Sequence, residues 1–167
     1  MLETKRLTLA PFSQSDVSDL FWVRGDTRSM LFWDWPADAS VEQTHVAAAM
    51  MLADAARADA LYWAARLKDG GAFVGLFDLS DLRSEDADLG FMIGHDFQGR
   101  GYAFEAASRV VDEARRRGFS KLKARIHVGN VRSGRLLDRL GFSLLSEAEV
   151  EIRPGVMQRC LFYGLAL

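Results

Sequence analysis

One stretch, Gly94-His95-Asp96-Phe97-Gln98-Gly99-Arg100-Gly101-Tyr102-Ala103-Phe104-Glu105, constrains this chain more than any other. Ahead of it, Ala87 to Ile93 reads as a buried strand. Behind it, Ala103, Ala106, Ala107, Val110, Val111 and Ala114 recur at helical spacing. The glycines therefore lie at a strand-to-helix junction. A helix start leaves its first N–H groups unpaired, with the positive end of the helix dipole behind them, so an anion can dock there if no side chain intervenes. Gly99 and Gly101 remove those side chains and permit the positive φ angles at which successive N–H groups converge. The stretch is a candidate phosphate cradle.

Other phosphate-binding loops fit less well. A dinucleotide fingerprint needs a third glycine near Phe104 and an acidic residue closing the next strand, and a nucleoside triphosphate loop needs Gly-Lys-Ser/Thr; none of these is present. Gln98-Gly99-Arg100-Gly101-Tyr102-Ala103 instead fits Arg/Gln-x-x-Gly-x-Gly/Ala and resembles the acyl-CoA-binding motif of the GNAT superfamily of N-acetyltransferases. Asn130 to Phe142 (Asn-Val-Arg-Ser-Gly-Arg-Leu-Leu-Asp-Arg-Leu-Gly-Phe) resembles that superfamily's second signature, Asn-x-x-Ser/Ala followed by Leu-Gly-Phe. Glu3 to Leu9 and Trp33-Asp34-Trp35-Pro36 are similar to the branch containing the ribosomal-protein N-terminal acetyltransferases of RimJ/RimL type. The fold this resemblance implies is α/β, or α+β by some schemes. A mixed, strongly twisted sheet of about seven strands is flanked by about four helices, and two parallel strands splay apart.

Composition sets the outer bounds. With 167 residues, 49% of them hydrophobic and 26% charged, the expectation is one domain, 1–167, with a substantial core. A formal net charge of -2 supplies no global positive field of the kind that non-specific nucleic-acid binding uses. Arg115-Arg116-Arg117, the only dense basic run, sits where a helix would end and suits its dipole. Cys160 is the single cysteine, so no internal disulfide can form; no Cys/His set has zinc spacing, and no metal is expected. No stretch approaches ~20 uninterrupted apolar residues, and no apolar run follows basic residues at the start. The expectation is a cytoplasmic protein with no nucleic-acid or membrane partner.

Periodicity places the remaining elements. Arg6 to Phe12 alternates as a short strand, Ser13 can cap a helix carrying Val17, Leu20, Phe21 and Val23, and Ser40 with Gln43 opens a second helix running to about Arg57. Leu61 to Leu67 and Ala72 to Leu79 form a hairpin through Asp69-Gly70-Gly71. Ser80 to Asp86 then leads to the strand that feeds the glycine loop. The helix after the loop ends at Arg117-Gly118, followed by a strand from Lys121 to Val128 and a helix from Val131 to Leu140. Phe142 to Ile152 and Met157 to Leu165 are the last strands, turning at Arg153-Pro154-Gly155.

The resemblance also implies a chemistry. The arm of acetyl-CoA, the expected cosubstrate, would lie between the splayed strands, where the backbone of Phe91, Met92 and Ile93 pairs with its amides. The diphosphate would meet N–H groups from Gln98, Gly99, Arg100, Gly101, Tyr102 and Ala103. Asn130 falls near the same arm, and asparagine is equally apt as a helix cap. Acyl transfer to an amine needs a neutral nitrogen, so a base matters most for an alkyl ammonium of pKa ~10. Glu85, Asp86, Asp88, His95, Glu105 and His127 are candidates, with Asp88 preferred because a partly buried strand carboxylate can have its pKa raised. The alternatives are a solvent-facing strand residue for Asp88, a core histidine for His127 and, favoured for Glu105 in the first helical turn, stabilising the helix start or ordering neighbouring segments. Many family members carry at the position of Leu137 a tyrosine that protonates the departing thiolate. Ser133 matches a serine assigned that job in the ribosomal-protein branch, with Tyr163 or water as substitutes. Phe32, Trp33, Trp35, His127 and Tyr163 are candidates for the acceptor pocket, though the aromatics equally suit core or a homodimer contact. The implied activity is transfer of an acetyl group to a primary amine, such as a protein N-terminus, in a ternary complex. A non-catalytic acyl-CoA-binding protein stays open because Leu137 lacks the hydroxyl.

Overall fold

The computed structural model describes residues 1–167. Its strands are β1 (Leu2–Glu3), β2 (Leu7–Pro11), β3 (Leu61–Leu67), β4 (Phe73–Ser80), β5 (Asp86–Ile93), β6 (Lys121–His127), β7 (Ser143–Arg153) and β8 (Val156–Ala166). The helices are α1 (Val17–Arg24), α2 (Val41–Ala56), α3 (Tyr102–Arg116) and α4 (Val131–Arg139). All eight strands form one mixed sheet in the order β1-β2-β3-β4-β5-β6-β8-β7. The strand beyond the expected seven is β1, a two-residue segment pairing Leu2 with Leu9 and Glu3 with Thr8. No helix is long and apolar enough to cross a membrane.

Short turns dictate the antiparallel half. Gly70 and Gly71 both have positive φ, which suits the tight β3–β4 connection, and register then runs unbroken from Gly75↔Ile93 to Ser80↔Asp88 between β4 and β5. After β5 the chain must cross over through α3, so β6 joins β5 in parallel. Alternation along the strands gives the sheet two unlike faces. Phe77, Leu79, Ala87, Leu89, Leu122, Ala124 and Ile126 pack with the buried stripe of α3 (Ala106, Ala107, Val110, Val111, Ala114) and Leu137 of α4. On the opposite face, Ala64, Leu76 and Met92 pack with Val17, Leu20 and Val23 of α1 and Ala48 of α2. Each large apolar side chain fully buried in these layers contributes about 1.5–3 kcal/mol.

The parallel pair is the feature that makes a site. β5 and β6 are in register only at Asp86↔Lys121, Ala87↔Leu122 and Asp88↔Lys123. Beyond Asp88 they diverge, β5 remaining paired with β4 on its far side and β6 with β8. The side of β5 that faces β6 from Leu89 to Ile93 is thus left without a strand partner, and a fork opens with Asp88 at its apex.

Candidate functional site

A cleft of about 1280 Å³ occupies the fork, bounded by β4, β5, the glycine loop, β6, α4 and the segment between α1 and α2. Most small-molecule pockets hold less than this. The loop leaves β5 at Gly94, passes through a 3-10 turn at His95–Phe97, and enters α3 from Gly101, whose φ of 80° is left-handed. Gly99 is also left-handed, at 74°, and a side chain on either residue would be strained in that conformation. No side chain caps α3, so the first N–H groups of the helix point outward with the dipole behind them.

Arg6 and Glu105 brace this bend. The Glu105 carboxylate accepts from Thr4 Oγ1 and Arg6 N, each at 2.6 Å, and from Arg6 Nε at 2.7 Å. Arg6 Nη1 donates to the Arg100 carbonyl at 3.1 Å, and the guanidinium lies 4.3 Å from the centre of the Tyr102 ring. Glu105 therefore orders the loop from behind and does not line the cleft. Burial acts to raise its carboxyl, but hydrogen bonds from Thr4 and Arg6 outweigh that and hold it below the usual range.

From the other bank, α4 presents Arg132, Arg135 and Arg139, whose spacing of three and four residues sets them on one helix face along the cleft. Arg132 Nη1 donates to Gln98 Oε1 at 2.8 Å, while Gln98 Nε2 donates to the Ile93 carbonyl at 3.2 Å, so Gln98 ties β5 to α4. Arg139 lies over the Phe104 ring at 4.1 Å. These arginines were missing from the sequence expectations. Their periodicity within the second signature was the available signal.

Asn130 and Ser133 both line the cleft. Asn130 Oδ1 accepts from Ser133 N at 3.2 Å as the cap of α4, so the capping role is realised at a position that also faces the cavity. Leu137 is wholly buried in the main core, and its position offers nothing to the cleft. Tyr163 is a correction to the expected pocket: it is 6% exposed within that core. A methyl group on Gly134 would come 3.4 Å from its hydroxyl, which faces the underside of α4. Trp35 is a second correction, since it is 56% exposed and outside the cleft lining, whereas Phe32 and Trp33 do line it. Arg100 and Tyr102 do not line the cleft; the Tyr102 ring packs edge-on against Phe97. Phe91, Met92 and Ile93 all border the cleft, with the Met92 side chain turned into the core under α1 and α2.

The segment between α1 and α2 roofs the fork by touching both of its prongs. Ser29 Oγ accepts from His95 N at 2.9 Å on the β5 side. On the β6 side, Asp34 Oδ2 accepts from Arg125 Nη2 at 2.5 Å, and Asp34 Oδ1 lies 2.9 Å from His127 Nε2. His127 is buried and engaged, and it lines the cleft beside Arg125.

On the floor, register places Asp88, Lys123, Arg125 and His127 on one face of β5 and β6, with Asp78 and Ser80 beside them on β4. Burial is the largest influence on Asp88 and raises its carboxyl, seconded by Asp81 and opposed by Lys123, Arg83 and Arg125. Asp78 is pushed up to about 6, chiefly by desolvation and further by Asp88, against a lowering by Ser80. Asp78 was absent from the sequence expectations, although a lone carboxylate inside Leu76-Phe77-Asp78-Leu79 is a visible anomaly. No group of His, Cys, Asp or Glu side chains is disposed to hold a metal ion.

The family described as Acetyltransferase (GNAT) domain matches residues 6–143. No curated protein matches the chain. Among solved structures, the spermidine N-acetyltransferase from Vibrio cholerae in complex with CoA and spermine superposes with a TM-score of 0.82 at 16% identity, over 96% of this chain and 95% of that one. An acetyltransferase from Salmonella typhimurium that modifies the N-terminal serine of the 50S ribosomal protein L7/L12 gives 0.85 at 18% identity, over 98% and 96% of the two chains. The microcin C7 self-immunity acetyltransferase MccE, in complex with acetyl-CoA and AMP, gives 0.85 at 19% identity, over 98% and 93%. These likenesses extend to the fold: a mixed sheet with four flanking helices.

Proposed function

The chain belongs to the GNAT acetyltransferase family, and from that membership we propose that it is an acetyl-CoA-dependent N-acetyltransferase acting on a primary amine. The observation that carries the proposal is the fork. Its unpaired β5 edge suits the amide-bearing arm of the thioester, its mouth carries the bare N–H groups of α3, and its apex holds the Asp88 carboxylate. The residues fit such a cosubstrate. Gly99 and Gly101 leave the helix start open to a diphosphate, and Arg132, Arg135 and Arg139 add positive charge along the same channel. When bound, acetyl-CoA supplies an activated acetyl carbonyl; positioning the amine and moving its protons falls to the protein.

Asp88 draws an ammonium to the apex and relieves it of a proton, directly or through water, so that neutral nitrogen meets the thioester carbonyl. Ser133, across the fork on α4, supplies a hydroxyl to the leaving sulfur. A thiol has an ordinary pKa of ~8.5, so this assistance is modest. Phe32, Trp33 and His127 shape the acceptor side. The acceptor is a peptide N-terminus, an amino acid or a small amine, the range to which the spermidine and ribosomal-protein enzymes of the same fold belong. A RimJ/RimL-like branch and a cytoplasmic setting belong to the same reading, the latter supported by a single free cysteine, Cys160.

The test is CoA release from acetyl-CoA over a panel of peptides, polyamines and amino acids. Turnover with at least one amine is expected. Asp88→Asn and Ser133→Ala should each lower kcat while leaving CoA affinity within about twofold, the larger loss, on the order of 10²-fold, falling on Asp88. Tight CoA binding without turnover across the panel would instead identify a non-catalytic acyl-CoA-binding protein.

A further inference from the structure

Asp78 has no ion-pair partner and takes no part in the chemistry just described, yet it lies on the cleft floor. It stands on β4 directly opposite Gly90 of β5, two residues from Asp88 along that strand and on the same face. Diagonal neighbours of this kind are within reach of each other's charge. Gly90 is what lets Asp78 lie there: a methyl group at that position would be 2.3 Å from Asp78 Oδ1 and 2.7 Å from its carboxyl carbon. The backbone of Gly90 is not left-handed, so this glycine answers to the space the carboxylate fills. The carboxyl thus overlies β5 just inside the fork, where the strand has already lost its β6 partner.

No cation pairs with it, and only Ser80, by a hydrogen bond, acts to lower it. Tyr62 of β3, its register partner on the other side, is pushed up to about 12, first by burial and then by Asp78 and Asp54. Lys123 and Arg125 act on Asp88, and Lys123 is engaged with Asp86 at 2.8 Å. Two carboxylates in such surroundings resist ionising together.

We propose that Asp78 is the second member of a proton-sharing carboxylate pair with Asp88, and that this pair selects acceptors that arrive as alkyl ammonium ions. The inference rests on the N-acetyltransferase reading and names the acceptor's charge state. The ammonium enters between the two carboxylates and leaves one proton on the pair. Its nitrogen lone pair then forms the C–N bond with the thioester carbonyl carbon while the C–S bond breaks. The second excess proton on nitrogen passes to the departing sulfur, giving amide and thiol. The pair releases its proton to solvent before the next turnover, so one proton leaves per acetyl group moved.

Carboxyl-carbon NMR of protein labelled at aspartate, together with pH–rate profiles, tests this. Asp88→Asn should let Asp78 titrate at lower pH than in the wild type, because Asp78 ionises beside an Asp88 that is already charged. Asp78→Asn should remove the upper of the pair's two titration steps, move the acid limb of kcat/KM to lower pH and lower kcat/KM for alkyl amines by about 10²-fold. CoA affinity should be unchanged. Gly90→Ala, which keeps both carboxyls but displaces that of Asp78, should lower kcat/KM in the same direction and covers the case in which Asp78→Asn does not fold. An Asp78 titration unmoved by Asp88→Asn, or an unchanged rate profile in Asp78→Asn or Gly90→Ala, overturns the pair. Absence of turnover by the wild type with every amine would sink the activity instead, and the titration would still decide the pair.

Discussion

Glu105 holds Arg6 at two points, accepting its backbone N at 2.6 Å and its Nε at 2.7 Å, although 99 residues separate them. The contact fixes the start of the chain to the first turn of α3 and so to the loop that opens the helix. Glu105→Gln should lower stability by about 1–3 kcal/mol, as expected for hydrogen bonds to a charged group. CoA affinity, measured by calorimetry, should fall severalfold. Because the folded carboxyl titrates below its ordinary value, its contribution is present above pH ~4.5 and lost on acidification. The wild-type and variant melting curves should therefore converge toward low pH.

Gly101→Ala tests the left-handed entry to α3. With φ at 80°, an L side chain costs roughly 1–2 kcal/mol there. Relief of that strain would turn the first N–H groups away from the cleft. A drop in melting temperature of about 2–8 °C and a loss of about tenfold in CoA affinity are expected. Unchanged affinity would show that the bend is not what holds the phosphates.

Asp34→Ala should free the roof from β6, since Asp34 alone joins Arg125 and His127 to the α1–α2 segment. The expected result is faster hydrogen exchange across residues 29 to 35 with no change in β3 and β4. KM for the amine should rise severalfold at constant CoA affinity. Equal exchange in both proteins would assign the roof's order to the Ser29 contact with His95.

Asp78 and Glu113 should give stability opposite pH signatures. Glu113 is held down to about 2, first by its hydrogen bond with Arg116, so its contribution is full above pH ~4.5 and fades as pH falls toward 2. Asp78 is raised to about 6 by burial. The cost of ionising it is absent below pH ~3.8 and fully present above the folded pKa. Asp78→Asn should thus be more stable than the wild type at pH 7, on the order of 2 kcal/mol, with the gain vanishing near pH 4. Denaturant unfolding at several pH values measures both. A destabilised Asp78→Asn at neutral pH would mean that the carboxylate is satisfied where it lies.

Local patterning in the sequence determined the elements of this protein, because the period of apolar residues and the position of glycines act over a few neighbours. The strand, left-handed glycine and helix around Gln98 to Ala103, the cap at Asn130 and the tight turn at Gly70-Gly71 all follow from such rules. Even Glu105 could be assigned to ordering rather than to the cleft from its place in a first helical turn.

Only the tertiary structure decided which side chains share a cavity. Tyr163 and Trp35 look equally available as residues, yet one is sealed in the core and the other stands in solvent. Asp78 joined the floor because the β4–β5 register sets it against Gly90, and Asp34 reached His127 across 93 positions of chain. Where β5 and β6 part was likewise fixed by packing, since α3 and α4 fill one face beneath both strands while nothing pairs their facing edges beyond Asp88. Long-range register and burial set charge environments, and neither is written in the spacing of near neighbours.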